Sequence, residues 1–266
     1  MCGTCGCGEA DVRVELLAFG PDRSGGPDRS RGPDQEEPAG HGHRHEPLTG
    51  VVDIETALLA KNDHLAGHNR AWLAERGIVA LNLMSSPGSG KTSLLARTIA
   101  ELTPSRPVSV IEGDQETRID AERIRSTGAP VVQINTGAGC HLDADMLARG
   151  LAELRPPDGS LVFVENVGNL VCPALFDLGE AARIVVVSVT EGEDKPLKYP
   201  QMFSVADLVL INKVDLLPYV DVQLPRLVAH CRAVRPGVRV LPLSVTTGEG
   251  MAAWCDWLLT CDPVRR

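Results

Sequence analysis

The chain has 266 residues, a net charge of −9, 43% hydrophobic residues and only 3% aromatic ones, which suits one large domain plus an appendage, with a core of Val, Leu, Ile and Ala. The acidic balance excludes a general nucleic-acid binder, which needs a basic face, and no apolar run is long enough to span a membrane. No basic segment followed by an apolar one marks a secretory signal, so the expected compartment is the cytoplasm. There, eight cysteines serve as thiols or metal ligands rather than as disulfides.

Taken in chain order, residues 1–8 read Met-Cys-Gly-Thr-Cys-Gly-Cys-Gly. Cys2, Cys5 and Cys7 can converge on one metal without a folded scaffold, because Gly3 and Gly6 let the backbone turn back. Soft thiolates suit nickel, zinc or copper(I). A terminal amine or a backbone amide as fourth ligand favours square-planar nickel(II). Residues 9–47 are read as a disordered linker: 20–47 are mostly Gly, Pro, Asp, Glu, Arg and His and contain Gly-Pro-Asp-Arg-Ser twice, too little apolar surface to fold. His41, His43 and His45 in this linker are a modest transition-metal motif.

The folded domain is expected over 48–266. Apolar spacing over 51–76 predicts one or two amphipathic helices. Seven apolar runs rich in β-branched residues follow, at 78–84, 108–112, 130–135, 161–167, 183–189, 207–212 and 238–243, with helical patterns at 92–102, 119–126, 143–154 and 222–233. This alternation predicts an α/β fold with a mostly parallel, doubly wound sheet of about seven strands, covered on both faces.

The first of these strands runs into Ser85-Ser86-Pro87-Gly88-Ser89-Gly90-Lys91-Thr92-Ser93 and then a helix. Strand, glycine loop and helix are the context of a P-loop NTPase. Gly88 and Gly90 permit backbone angles that turn successive N–H groups, including those of Ser89 and Ser93, toward phosphate oxygens. Lys91 can reach the β- and γ-phosphates and the Thr92 hydroxyl can ligate Mg²⁺. The pattern usually opens with Gly, and here that position is Ser85.

A later strand ends in Asn212-Lys213-Val214-Asp215. The Asp215 carboxylate can accept from both the N1–H and the amino group of guanine, a donor pair that adenine lacks, so the nucleotide is read as GTP. Backbone N–H groups of Ser244 and Val245, after the last strand, can contact the base edge. Two further strand ends carry carboxylates, in Glu112-Gly113-Asp114 and Glu165-Asn166. Asp114 and Glu165 are chosen for the magnesium shell. Asp120 is either a further acidic ligand or a helix cap.

Cys140-His141 follows one strand and Cys172 follows another. If those strands end at one sheet edge, the three form a site with room for water or for a second subunit's ligands; otherwise they are polar residues on separate loops. Cys231, Cys255 and Cys261 lack such partners, Cys255 being read as core on a terminal helix. His64, His68 and His230 are read as structural or surface residues.

Together these motifs resemble the HypB family, the nickel-incorporation GTPases of [NiFe]-hydrogenase maturation. The resemblance rests on the N-terminal cysteines, on Ser85–Thr92, Gly137–Leu142 and Glu165–Pro173, and on Asn212-Lys213-Val214-Asp215-Leu216-Leu217-Pro218-Tyr219. It covers 1–8 and essentially all of 50–260. It implies a SIMIBI-type G domain with slow GTP hydrolysis, in which Lys91, Asp114 and Glu165 serve catalysis. Cys2, Cys5 and Cys7 would be a tight Ni²⁺ site, and Cys140, His141 and Cys172 a second one, for nickel or zinc. It further implies a GTP-promoted homodimer with Leu216 and Val220 at the contact, Lys195 near the nucleotide, and two partners: a HypA-type metallochaperone and the hydrogenase large-subunit precursor. The competing readings are a urease-type nickel GTPase of the UreG kind, a metal-storage protein with a vestigial nucleotide fold, and a small-molecule kinase. The cysteine placement, and intact Lys91, Thr92 and Asp215, argue against them.

Overall fold

A computed structural model describes residues 13–16, 51–102, 106–114, 119–137 and 139–263. The chain runs through β1 (Arg13–Leu16), α1 (Val51–Glu75), β2 (Val79–Ser85), α2 (Lys91–Leu102), β3 (Val108–Asp114), α3 (Ile119–Arg125), β4 (Val131–Asn135) and α4 (Ala144–Leu154). It continues through β5 (Leu161–Glu165), β6 (Ala182–Ser188), α5 (Lys195–Lys198), α6 (Pro200–Ser204), β7 (Leu208–Asn212), α7 (Leu224–Val234), β8 (Arg239–Pro242) and α8 (Met251–Leu259). Short 3₁₀ turns lie at Cys172–Ala174, Val189–Glu191 and Val214–Tyr219.

One sheet has the order β1-β4-β3-β5-β2-β6-β7-β8. The strands from β2 to β8 pair in parallel, so the expected doubly wound sheet of about seven parallel strands is present. The central strands are buried on both faces, which is why they read as unbroken apolar runs. Val79, Leu81 and Leu83 pack under α2 and α8 with Leu95, Ile99 and Trp254, while Ala80 and Val162 face Leu73 of α1 and Leu147 of α4 on the other side. The chain winds from β2 toward β3 on one side and reaches β6 on the other. That makes the carboxyl end of β2 the switch point where such sheets bind ligands.

One detail differs from the sequence reading. Arg13–Leu16, inside the segment read as linker, forms an eighth strand antiparallel to β4; its alternating Arg-Val-Glu-Leu suits an edge strand, and the outer edge of β4 offers unpaired backbone groups. Residues 51–75 form a single helix, the first of the two alternatives that the apolar spacing offered. Among the described residues, no helix is long and apolar enough to cross a membrane.

Candidate nucleotide and metal site

The loop from Ser86 to Gly90 turns the chain from β2 into α2. Gly88 and Gly90 have φ of +76° and +97°, angles that favour glycine. At Gly90 even a methyl group would lie 2.6 Å from Asn212 Nδ2, so the absence of a side chain is what lets the phosphate and base loops meet. Lys91 is buried, and its Nζ donates to Ser85 Oγ at 2.8 Å. Ser85, where glycine is usual, thus gives this ammonium a resting partner. Burial pushes the Lys91 ammonium below its ordinary range, opposed by the charges of Glu165, Asp120, Glu112 and Glu191. Ser89 is buried and Ser93 half-buried at the loop and helix start.

Thr92 Oγ1 donates to Glu165 Oε1 at 2.7 Å. Glu165 ends β5, and its register partner on β3 is Glu112. Burial above all pushes Glu165 up to about 7. Glu112 is pushed up to about 9 by burial and then by Glu165, Asp114 and Asp120. Each glutamate keeps one buried oxygen without a hydrogen-bond partner, and orphaned buried oxygens are rare. A hydroxyl with carboxylate oxygens is the donor set of a hard divalent cation, so these residues fit Mg²⁺. Asp114 and Asp120 act electrostatically on both glutamates, which puts Asp120 beside this cluster.

At the other side of the loop, Asn212 Nδ2 donates to Ser89 O at 2.9 Å and Lys213 Nζ to Gly88 O at 2.7 Å. Lys213 itself sits at φ +63°, a conformation costly enough in a non-glycine residue to point to function. The first two residues of the base motif therefore brace the phosphate loop. Asp215 faces the last loop, where Ser244 Oγ donates to its Oδ1 at 2.6 Å. Arg97 anchors that loop by donating to Val245 O at 2.5 Å.

Cys140, His141 and Cys172 come together, with one ligand atom of each within 4.8 Å of the others. All three are half-buried. Cys140 Sγ lies 3.6 Å from His141 Nδ1, and Asn169 Nδ2 lies 3.7 Å from Cys172 Sγ. The His141 ring stacks on Phe176 at 3.9 Å. Burial pushes the imidazole below its usual range against the pull of Asp143, which favours the neutral, metal-ligating form.

The loops that carry these ligands are held by buried carboxamides. Asn166 Oδ1 accepts from the N–H of Leu142 at 3.1 Å, and its Nδ2 donates to Asn82 Oδ1 at 3.2 Å. From α1, Asn62 accepts from Ala144 N at 2.9 Å and donates to Asp177 O at 2.8 Å. Asn69 donates to Ala144 O at 2.8 Å and Leu178 O at 3.0 Å. Leaving any one such group unpaired costs about 1–3 kcal/mol, so these bonds fix the loops.

Residues 79–242 match the CobW/HypB/UreG nucleotide-binding domain. The chain is 49% identical to the hydrogenase maturation factor HypB of Azotobacter vinelandii, over 97% of this chain and 91% of that one. It is 46% identical to that of Escherichia coli K12, over 98% and 99%. The chain belongs to the HypB family. Among solved structures it resembles HypB from Archaeoglobus fulgidus, with a TM-score of 0.71, 42% identity and coverage of 75% and 98%. It also resembles HypB from Helicobacter pylori in complex with nickel, with a TM-score of 0.70, 36% identity and coverage of 75% and 94%.

Within this HypB-family chain, the sequence reading gave no site role to Glu112, Asn82, Asn166 or Glu191. Asn82 had a visible signal, a carboxamide inside an apolar strand. Glu191 had another, the Ser188-x-x-Glu191 spacing that forms a capping box; its other oxygen accepts from Ser86 Oγ of the phosphate loop and pairs with Lys195 Nζ at 3.4 Å. Lys195 thus reaches the phosphate loop through Glu191. Cys255 sits at the rim rather than inside the core, donating to Glu101 at 3.3 Å, because Trp254 and Trp257 take the buried positions of α8. Cys2, Cys5, Cys7, His41, His43 and His45 lie outside the described residues.

Proposed function

We propose that this HypB-family chain is a slow GTP hydrolase that delivers nickel to the [NiFe]-hydrogenase large-subunit precursor, with GTP binding and hydrolysis gating both metal transfer and homodimerisation. One observation carries the reading: Glu165 accepts from Thr92 of the phosphate loop, and the next residue, Asn166, accepts from the backbone beside His141. The nucleotide and metal ends therefore share two adjacent residues of the chain. The relatives are hydrogenase maturation factors, and the H. pylori structure holds nickel, which supports the target and the cargo.

In this mechanism Lys91 leaves Ser85 Oγ for the β- and γ-phosphates, and the Ser89–Ser93 N–H groups cradle them. Asp215, oriented by Ser244, takes the guanine donors. Magnesium, held by Thr92, Asp114 and Glu165, would neutralise phosphate charge. A nucleotide that takes up the Thr92 hydroxyl would free Glu165 from it, and Asn166 would carry that shift to Leu142 and His141. A shift that changes metal affinity must change nucleotide affinity by the same factor. Cys2, Cys5 and Cys7 are the tight nickel site, while Cys140, His141 and Cys172 hold nickel or zinc on the way through. The partners are a HypA-type metallochaperone, the hydrogenase precursor and, with GTP, a second copy. Leu216 and Val220 are half-buried against their own core, and between them Tyr219 is 83% exposed, which supports a contact at this turn.

The test is nickel titration in competition with a chelator, on the wild type and on a Cys2/Cys5/Cys7→Ala variant, each with GDP and with a non-hydrolysable GTP analogue. The variant is expected to lose a tight site while a weaker one still responds to nucleotide. If neither protein binds nickel tightly and neither responds, the delivery role is wrong.

A further inference from the structure

His64 and His68 stand one helical turn apart on α1, and both are exposed. Residues four apart project from the same helix face. The buried residues Asn62, Ala66, Asn69 and Leu73 occupy the opposite face, so the histidine pair looks into solvent. Sequence alone reads both as structural or surface residues. The structure instead turns both rings so that Nε2 faces Nε2 at 3.2 Å, with centroids 4.7 Å apart and planes at 81°.

That separation has a specific chemical meaning. Imidazole nitrogens bind zinc-like divalent ions at about 2.0–2.1 Å. Two such nitrogens 3.2 Å apart subtend an angle of about 100° at a shared ion, between the right angle of square-planar nickel or copper and the tetrahedral angle of zinc. We propose that His64 and His68 form a surface chelate for a divalent transition metal, with the remaining positions open to water or to a donor's ligands. Imidazole suits Zn, Cu and Ni, while carboxylate-preferring Mg²⁺ and Ca²⁺ are excluded. The site is separate from the Cys140–His141–Cys172 trio. It rests on the proposed delivery function only for nickel being the metal it meets.

The test uses Ni²⁺ alone on the full chain. In a background carrying Ala at Cys2, Cys5, Cys7, His41, His43, His45, Cys140 and Cys172, equilibrium dialysis should still find one Ni²⁺ per chain. Either His64→Ala or His68→Ala should weaken it at least about tenfold, since even a residue behind a metal ligand is worth about 10–100-fold in affinity. As a check independent of that background, Ni²⁺ added to the otherwise unaltered chain should slow amide hydrogen exchange across 61–69, and His68→Ala should abolish the slowing. No residual site in the background, or binding and exchange that ignore both substitutions, would mean that the pair is only hydrogen-bonded. That failure leaves the delivery reading standing, because its titration reads the cysteine sites.

Discussion

The phosphate loop and the metal trio both follow strand ends of one sheet, yet they are built in different ways. Lys91 and Thr92 are buried at the start of α2, and the loop holding them is one continuous stretch braced from outside by Asn212 and Lys213. Cys140, His141 and Cys172 are half-buried, come from two loops, and are positioned by carboxamides on β2, just after β5 and on α1. The first arrangement is a preformed cradle. In the second, the loop that carries His141 hangs on Asn166 through the Leu142 N–H, which is the contact the proposed coupling uses.

The largest break in this comparison should come from the cradle. Lys91→Ala removes the buried cation proposed to reach the phosphates, and GTP turnover should fall about 10²–10³-fold, as for other single donors to developing charge. Nickel binding in the absence of nucleotide should persist, so the two ends separate. Single-turnover hydrolysis together with a metal titration would show this, and hydrolysis at the wild-type rate would refute the assignment.

At the base the effect is expected on affinity rather than on turnover. Asp215→Ala deletes two charge-assisted hydrogen bonds, each worth about 1.5–3 kcal/mol. GTP should weaken at least about a hundredfold, with ATP binding unchanged. Equal losses for both nucleotides, read by fluorescence competition, would instead mean that Asp215 only supports the loop through Ser244.

The smallest effect sharpens the carboxylate cluster. Without ligands, Glu112 is pushed up to about 9, mostly by burial, so between its ordinary 4.5 and about 9 the folded chain holds a proton that the unfolded chain has lost. Stability contributed below that window is therefore lost as pH rises through it. Glu112→Gln should flatten the decline in thermal midpoint across the window from 4.5 to about 9 while changing its slope little below about pH 4. Parallel profiles for the two proteins would show that Glu112 is already ionised in the fold.

The cradle was legible in the sequence because its chemistry is contiguous: glycines, lysine and threonine act within a few residues of one another, between a strand and a helix. Asp215 was legible for the same reason. The metal trio could be named, but its meeting depended on β4 and β5 ending at the same edge, which no spacing states. Glu112 was named at its strand end but passed over for Asp114, because its role comes from register pairing with Glu165. Asn166 looked like one polar residue in a polar loop, yet it is 1% exposed and bonded to two distant segments. The strand Arg13–Leu16 was hidden by its surroundings: four alternating residues carry little signal inside a Gly- and Pro-rich stretch, and only the free edge of β4 gives them a partner.

The central claim is that nucleotide state reaches the metal trio through Asn166. The most direct measurement is the Ni²⁺ affinity of a Cys2/Cys5/Cys7→Ala chain with GDP and with a GTP analogue, compared with the same chain carrying Asn166→Ala. Coupling of the usual 1–3 kcal/mol predicts about a 5–150-fold difference between the two nucleotides, collapsing toward equality once Asn166 is gone while both ligands still bind. A nucleotide-dependent difference that survives Asn166→Ala in full would contradict the account.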